Sequence, residues 1–155
     1  MTKKEIFFPV LGFYFNVVFK NLGTKKFDNL FQSVSGLTVD LETEEITEGG
    51  ENRFKHTLPV RSKYSKLVLK RGLLIDSEVV SWCKDALQIF KIKPKDIDIV
   101  LLGEDHQALK TWSLKNAFPI KWSLSDFNAE ENKVVIETLE LSYNFFTTHS
   151  SANNN

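Results

Sequence analysis

Apolar residues follow two rhythms along this chain. Through most of it they alternate with a period of two, in short runs rich in Val, Ile, Phe, Trp and Thr. Gly, Asn, Asp and Ser bound these runs. They predict strands over Val10–Lys20, Asn29–Ser35, Thr38–Thr47, Lys55–Val60, Lys66–Arg71, Asp96–Leu102, Leu109–Lys115, Phe118–Leu124 and Lys133–Phe146. One segment switches to the helical rhythm. Val79, Trp82, Cys83, Ala86, Leu87 and Phe90 fall at i, i+3, i+4, i+7, i+8 and i+11, which makes one continuous apolar stripe. The spacing predicts a helix over about residues 76–90, with those six side chains as its core face. Asp76 is the expected N-cap, Glu78 sits where the helix dipole favours an anion, and Pro94 prevents continuation. One amphipathic helix among many strands points to a mainly β (α+β) fold. The expected form is an antiparallel sheet or barrel with the helix packed on its side or end.

Two strands are apolar on both parities. In Val10–Phe19 one parity carries Leu11, Phe13, Phe15, Val17 and Phe19, and the other carries Val10, Tyr14 and Val18. In the last strand one parity carries Val135, Leu139, Leu141, Tyr143 and Phe145, while Val134 and Ile136 begin the other. A strand with one face in water alternates more cleanly than this. Either the helix and loops cover the outer face, or a neighbouring subunit does.

The 155 residues suit a single domain, with a polar end over 147–155 that is expected to be flexible. At 42% hydrophobic and 26% charged the composition is globular. Twenty Lys+Arg balance twenty Asp+Glu, which argues against a uniformly basic nucleic-acid binder and leaves no net repulsion against self-association. A single cysteine excludes an internal disulfide and a cysteine-rich metal site. Ile6–Phe19 has no charged residue, but it contains Pro9, Gly12 and Asn16 and no small-x-small cleavage site follows. It is also shorter than the roughly 20 residues of a membrane span. The expectation is a protein made in the cytoplasm without a signal peptide or membrane segment.

Candidate chemistry is thin. Asp40, Glu42 and Glu44 share a strand face, but a carboxylate pair needs a desolvating cleft to act as acid and base, and three like charges in a row usually mark a wet surface. His56, His106 and His149 lack metal-ligand spacing. Cys83 lies on the apolar stripe, as a buried structural thiol would. No nucleophile elbow, P-loop or dinucleotide fingerprint occurs. No enzyme activity, metal or cofactor is expected.

Charge order is more informative than charge total. Asp40, Glu42, Glu44, Glu45, Glu48 and Glu51 precede Arg53, Lys55, Arg61, Lys63, Lys66, Lys70 and Arg71. The two sets are separated by Gly49-Gly50-Glu51-Asn52. The acidic and basic strands either pair within one subunit or meet head to tail between copies.

In their order, several segments resemble the contractile-phage tail tube proteins. These are Ser33-Val34-Ser35-Gly36-Leu37 with the acidic strand after it, Lys70-Arg71-Gly72, the Trp82 helix, and Asp96-Ile97-Asp98-Ile99-Val100-Leu101-Leu102. Trp112-Ser113-Leu114-Lys115-Asn116-Ala117-Phe118-Pro119 and Val135-Ile136-Glu137-Thr138-Leu139-Glu140-Leu141 complete the set, which spans about Phe8 to Phe145. The resemblance includes the tubes of extracellular contractile injection systems. It implies an antiparallel β-barrel with one flanking helix, similar to the haemolysin-coregulated protein of type VI secretion. Six copies would form a ring, and rings would stack head to tail into a hollow tube within a contractile sheath. Sheath, baseplate or hub, and tube-terminating proteins are the implied partners, with protein cargo or DNA in the lumen, in a released or cell-anchored particle. The segment about 44–64 matches an extended loop that reaches neighbouring subunits, so Glu44, Glu45, Glu48, Glu51, Arg53, Lys55, Arg61 and Lys63 are the expected contact residues. A DNA-conducting phage tail is the alternative, and a monomeric ligand-binding β-barrel the more distant one.

Overall fold

The computed structural model of the chain describes residues 14–23, 25, 28–47, 49–50 and 53–150. Within them nine strands and one helix follow the sequence rhythms closely. The strands are β1 (Tyr14–Phe19), β2 (Ser33–Ser35), β3 (Val39–Ile46), β4 (His56–Tyr64) and β5 (Leu67–Gly72). The helix α1 (Glu78–Gln88) comes next, then β6 (Lys95–Leu102), β7 (Ala108–Leu124), β8 (Ile136–Ser142) and β9 (Phe146–Ser150). Residues 10–13 of the first predicted strand lie outside the described residues.

All strand pairings are antiparallel. The main sheet runs β1-β6-β7-β8-β5-β2, with β9 added to β7. Its two ends come back together. Val17 N–H donates to the Asn29 carbonyl at 3.2 Å, and Phe19 lies against Phe31 with ring centroids 6.4 Å apart. The expected barrel is therefore present as a curled sheet whose seam is bridged by that hydrogen bond and aromatic contact, without a full ladder.

β7 explains how one sheet can curl so far. The two predicted strands Leu109–Lys115 and Phe118–Leu124 are one 17-residue strand. Asn116 within it takes a left-handed conformation (φ 53°), and Asp96 Oδ1 accepts its N–H at 3.1 Å. On one side of this bend β7 pairs with β6 and β9; on the other it pairs with β8. The predicted last strand, Lys133–Phe146, covers β8 and only the first residue of β9; residues 147–150, expected as part of a flexible polar end, complete β9 and pair with β7, because the chain crosses from one half of β7 to the other. Asn144 and Lys115 hold that crossing by a 2.9 Å backbone hydrogen bond.

The core lies inside this curl and under the helix. Val17, Phe19, Leu67, Leu69, Ile97, Ile99, Leu114, Leu139 and Leu141 are buried from alternate strand positions. Val79, Trp82, Cys83 and Ala86 cover them from α1, with Trp82 edge-on to Phe19 at 5.8 Å. Trp82 Nε1 donates to the Lys93 carbonyl at 2.7 Å, which folds the segment after the helix back onto it.

Two features of the helix differ from the sequence expectation. Ser77, not Asp76, is the N-cap: its hydroxyl accepts the Val80 N–H at 3.2 Å, while Asp76 binds Lys25 in solvent. Leu87 and Phe90 are not core residues. The helix ends at Gln88, Leu87 is 42% exposed, and Phe90 is 84% exposed in a left-handed conformation (φ 55°). Val80 takes a buried place instead. The stripe continues in sequence past the point where the backbone stops being helical.

Candidate assembly surface

Three arrangements stand out: a hairpin that leaves the body, the hinge that aims it, and a buried polar cluster that fixes the helix to the sheet.

β3 and β4 form a separate two-stranded sheet. The predicted extended loop over about 44–64 is thus mostly the second strand of a hairpin, which nine residues at about 3.4 Å per residue make roughly 30 Å long. Register sets Asp40 opposite Lys63, Glu42 opposite Arg61 and Glu45 opposite Thr57. The Arg61 guanidinium holds Glu42, and Lys55 Nζ lies 3.4 Å from Glu45 Oε2. The acidic and basic blocks therefore pair within the subunit at these positions. Exposed pairs of this kind stabilise little, so their main effect is to keep a charged strand pair in register. Glu44 and Lys63 lie on the same hairpin and Arg53 just before β4, whereas Glu48 and Glu51 lie outside the described residues.

Among the described residues neither face of the hairpin is covered. Leu41 is 60% exposed and Val60 57%, and Val39, Ile46 and Leu58 are also exposed. A lone hairpin is marginal in water, and one that shows this much apolar surface fits burial against another chain.

The hinge is the Ser33–Leu37 motif. Gly36 has φ +91°, and a Cβ built there would lie 2.0 Å from the Lys66 carbonyl oxygen. The two chain segments cross so closely that only glycine fits. Ser65 N–H donates to the Thr38 carbonyl at 3.1 Å, beginning the hairpin. Tyr64, at the foot of β4, then packs on Phe146 and Tyr143, with centroids 5.0 and 6.1 Å away. This aromatic cluster ties the hairpin's base to β8 and β9.

The buried cluster centres on Arg71. Its Nε donates to Glu137 Oε2 at 3.0 Å, Nη1 to the Asp28 carbonyl at 3.0 Å, and Nη2 to the Ser77 hydroxyl at 2.7 Å. Ser77 in turn donates to Asp28 Oδ1, and Asp28 Oδ2 accepts the N–H groups of Glu78 and Lys25. Glu137 Oε1 accepts from Trp122 Nε1 at 2.8 Å, and the guanidinium lies 4.8 Å over Phe31. All four polar residues are buried. Burial alone would push the Asp28 carboxyl up; the Ser77 hydroxyl, two backbone N–H groups and Arg71 outweigh it and hold the carboxyl below its ordinary range. This cluster joins β5, β8 and the N-terminus of α1. Its partners were visible in sequence only as charges on buried parities: Arg71 follows Leu67 and Leu69, and Glu137 precedes Leu139 and Leu141.

The other candidates for chemistry are dispersed. His106 stacks on Tyr14, His56 meets Phe54 edge-on, and His149 lies by Thr147. Among the described residues no group of His, Cys, Asp and Glu could hold a metal, and no helix is long and apolar enough to cross a membrane. The apolar hollow lined by Phe15, Val34, Leu37, Ile99, Leu101 and Trp112 encloses about 170 Å³, small for a ligand site. Burial, with Glu137 adding to it, pushes the Cys83 thiol up to about 12. A thiol reagent at pH 8 is therefore expected to label Cys83 only as the protein unfolds; rapid labelling of the folded chain, followed by absorbance, would contradict this burial.

Comparison with known proteins gives the arrangement a lineage. No curated protein sequence matches this chain. A chain of the cryo-EM structure of the anti-feeding prophage baseplate is 32% identical, with a TM-score of 0.83 over 95% of this chain and 99% of that one. A chain of the sheath–tube complex of the PVC extracellular contractile injection system in its extended state is 24% identical, with a TM-score of 0.77 over 92% and 93%. The fold also matches Hcp1 from Salmonella typhimurium, at 11% identity and a TM-score of 0.55 over 94% and 91%. Residues 11–147 match the family model of the T4-like virus tail tube protein gp19. With its curled sheet, flanking helix and projecting hairpin, the chain belongs to that tail tube family and has a structural, inner-tube role.

Proposed function

We propose that this chain builds the inner tube of a phage-tail-like contractile injection particle. Copies associate into six-membered rings, as the six-fold symmetry of the anti-feeding prophage relative suggests. Rings stack head to tail, and the hairpin of each copy lies against its neighbours. A sheath surrounds the tube and a baseplate closes one end; contraction drives the tube through a target envelope. The observation that carries this reading is the uncovered hairpin, apolar on exposed positions of both strands, in a chain of this family. Different surfaces meeting in one repeated contact give rings when the rotation closes and open stacks when it does not. The chain contributes geometry and surface, and no reaction step. Negative-stain microscopy of the protein, alone and with its sheath and baseplate partners, is expected to show rings or tubes. A monomer under all these conditions would overturn the reading.

We favour protein as cargo over DNA, since one similar structure, 24% identical, is the sheath–tube complex of an extracellular contractile injection system. Nuclease-protected DNA in purified particles would reverse that preference. The hairpin's charges give a further expected result. Reversing Arg61 alone (Arg61→Glu) sets it beside Glu42 and lowers tube yield, while the melting temperature changes little because the pair is exposed. Restoring the pair with Glu42→Arg recovers assembly if its role is register. Assembly that stays lost in the double variant would assign Arg61 to a neighbouring copy.

A further inference from the structure

The residue that the helical periodicity misplaced marks a second uncovered surface. Phe90 is 84% exposed and left-handed at φ 55°, a conformation that is unfavourable for a bulky L-residue. Folding alone gains nothing from an aromatic side chain there; glycine would serve the turn better. Lys91 N–H donates to the Asp85 carbonyl at 2.8 Å and fixes the turn, so the ring is held outward on a rigid helix end. Ile89 and Ile92 are exposed beside it in the chain, and Lys91 and Lys93 are interleaved with them. Between residues 84 and 95 four lysines stand against one aspartate.

The distal hairpin has the complementary composition. Glu44 stands opposite Leu58, and Ile46 opposite His56, so Glu44, Ile46 and Leu58 share one face. Ile46 and Leu58 are exposed there beside the acid. Among the described residues Glu44 has no ion-pair partner, whereas Glu42 and Glu45 are paired within the hairpin. One surface is apolar with lysines around it, the other is apolar beside the Glu44 carboxylate, and the two lie on different elements. Such a match between copies is heterologous and repeats without limit, as an open stack requires.

We propose that the helix-end knob of one copy, Ile89, Phe90 and Ile92, receives the distal hairpin face, Glu44, Ile46 and Leu58, of a second copy. This rests on the inner-tube reading and names the receiving site within it. The knob acts as an aromatic anchor and the lysines orient the acidic strand over it.

The test uses the full chain in two variants that each add one cysteine, Leu58→Cys and Phe90→Cys, with Cys83 left in place because it is buried. Wild-type chain is first shown to form tubes. Mixed tubes oxidised briefly are expected to yield covalent dimers that need both variants. A second variant, Phe90→Gly, is expected to keep or raise the melting temperature while lowering polymerisation about tenfold or more, the loss of a central anchor. Tubes that form normally, with no dimer linking positions 58 and 90 and with Phe90→Gly polymerising like wild type, overturn the contact and leave the inner-tube reading intact. If Phe90→Gly forms normal tubes but loses sheath binding, the knob belongs to the sheath and the proposal fails. Absence of wild-type tubes overturns the inner-tube reading and the contact together.

Discussion

Replacing Arg71 with alanine is expected to cost about 3–5 kcal/mol, the range found when one partner of a buried ion pair is removed. That is a large part of the roughly 5–15 kcal/mol that holds a domain together. The reason lies in what remains. Asp28 and Glu137 are both fully buried, and Arg71 is the positive charge that both meet. Without it two carboxylates stay in a low-dielectric interior, and the Ser77 hydroxyl and the Asp28 carbonyl lose a donor. Urea titration at pH 7 measures the loss. The pH dependence separates charge from packing. In the native chain the Asp28 carboxyl is held low, so its contribution is present above the unfolded value near 3.9 and lost as pH falls through the lower folded value. The native protein therefore weakens on acidification below about pH 4. In Arg71→Ala the Asp28 carboxyl loses one of the contacts that hold it low, so the difference between variant and native is expected to shrink as pH falls below about 4. A difference that stays constant over that range would mean that packing, not charge, is what Arg71 supplies.

The second large effect is expected at Gly36. Valine there faces two penalties. A β-branched residue at φ +91° is in a region that L side chains rarely adopt, and its Cβ would fall 2.0 Å from the Lys66 oxygen. The Lys66 backbone cannot yield freely, because Leu67 next to it is fully buried and begins β5. Together these are expected to cost about 3 kcal/mol or more. Gly36→Ala meets the same clash with less bulk and is the milder variant. Since Gly36 sits where the chain leaves β2 for β3, the change also re-aims the hairpin. Tube formation is therefore expected to fail in Gly36→Ala at temperatures where its circular dichroism is still native. Normal tubes from a folded Gly36→Ala protein would show that hairpin direction is not set at this crossing. Gly50 offers a control: it too has a positive φ, but no atom of the described residues lies within 4 Å of its Cβ position, so alanine there should cost only the local strain.

How far the sequence could be read depended on whether a feature was local. Strand existence was legible from alternation, since successive side chains in a strand point to opposite faces and half of them must be apolar. The helix was legible from its stripe for the same kind of reason. Its end was not. Leu87 and Phe90 continue the stripe in sequence, but the chain turns left-handed at Phe90, and a 2.8 Å hydrogen bond from Lys91 to Asp85 makes that turn. Periodicity reports spacing and carries no information on backbone conformation. The same limit made two strands of β7 and left all but the first residue of β9 in an expected flexible end. Asn116 bends a strand without ending it, and residues 143–145 cross between its two halves.

The assembly surface divides in the same way. The order of charges from Asp40 to Arg71 and the Ser33–Leu37 motif were plain in the chain. Whether the acids meet bases in the same subunit was undecided, because pairing depends on where the hairpin turns. Register decided it in favour of Glu42–Arg61 and Glu45–Lys55 within one copy. That frees the proposed stacking contact from resting on charge alone and moves weight to the exposed Leu41, Leu58 and Val60. Arg71 closed the basic block in sequence, yet it is a core residue. The visible sign was parity, since Arg71 and Glu137 fall on the buried sides of β5 and β8 and stand opposite each other in register. Asp28 and Ser77 gave no such sign, because loop residues have no period.

By itself, then, the sequence determined a mainly antiparallel β domain with one amphipathic helix, a neutral chain with its charges sorted in order, and a resemblance to tail tube proteins across most of its length. Each follows from residue order over short distances, where steric alternation and helical spacing act. Tertiary structure alone decided which charges pair, which are buried, where the helix stops, and which apolar side chains remain for another chain to cover. Those outcomes depend on residues far apart in sequence being brought within a few ångströms, as Asp28, Arg71, Ser77 and Glu137 are, and on the backbone turns that bring them there.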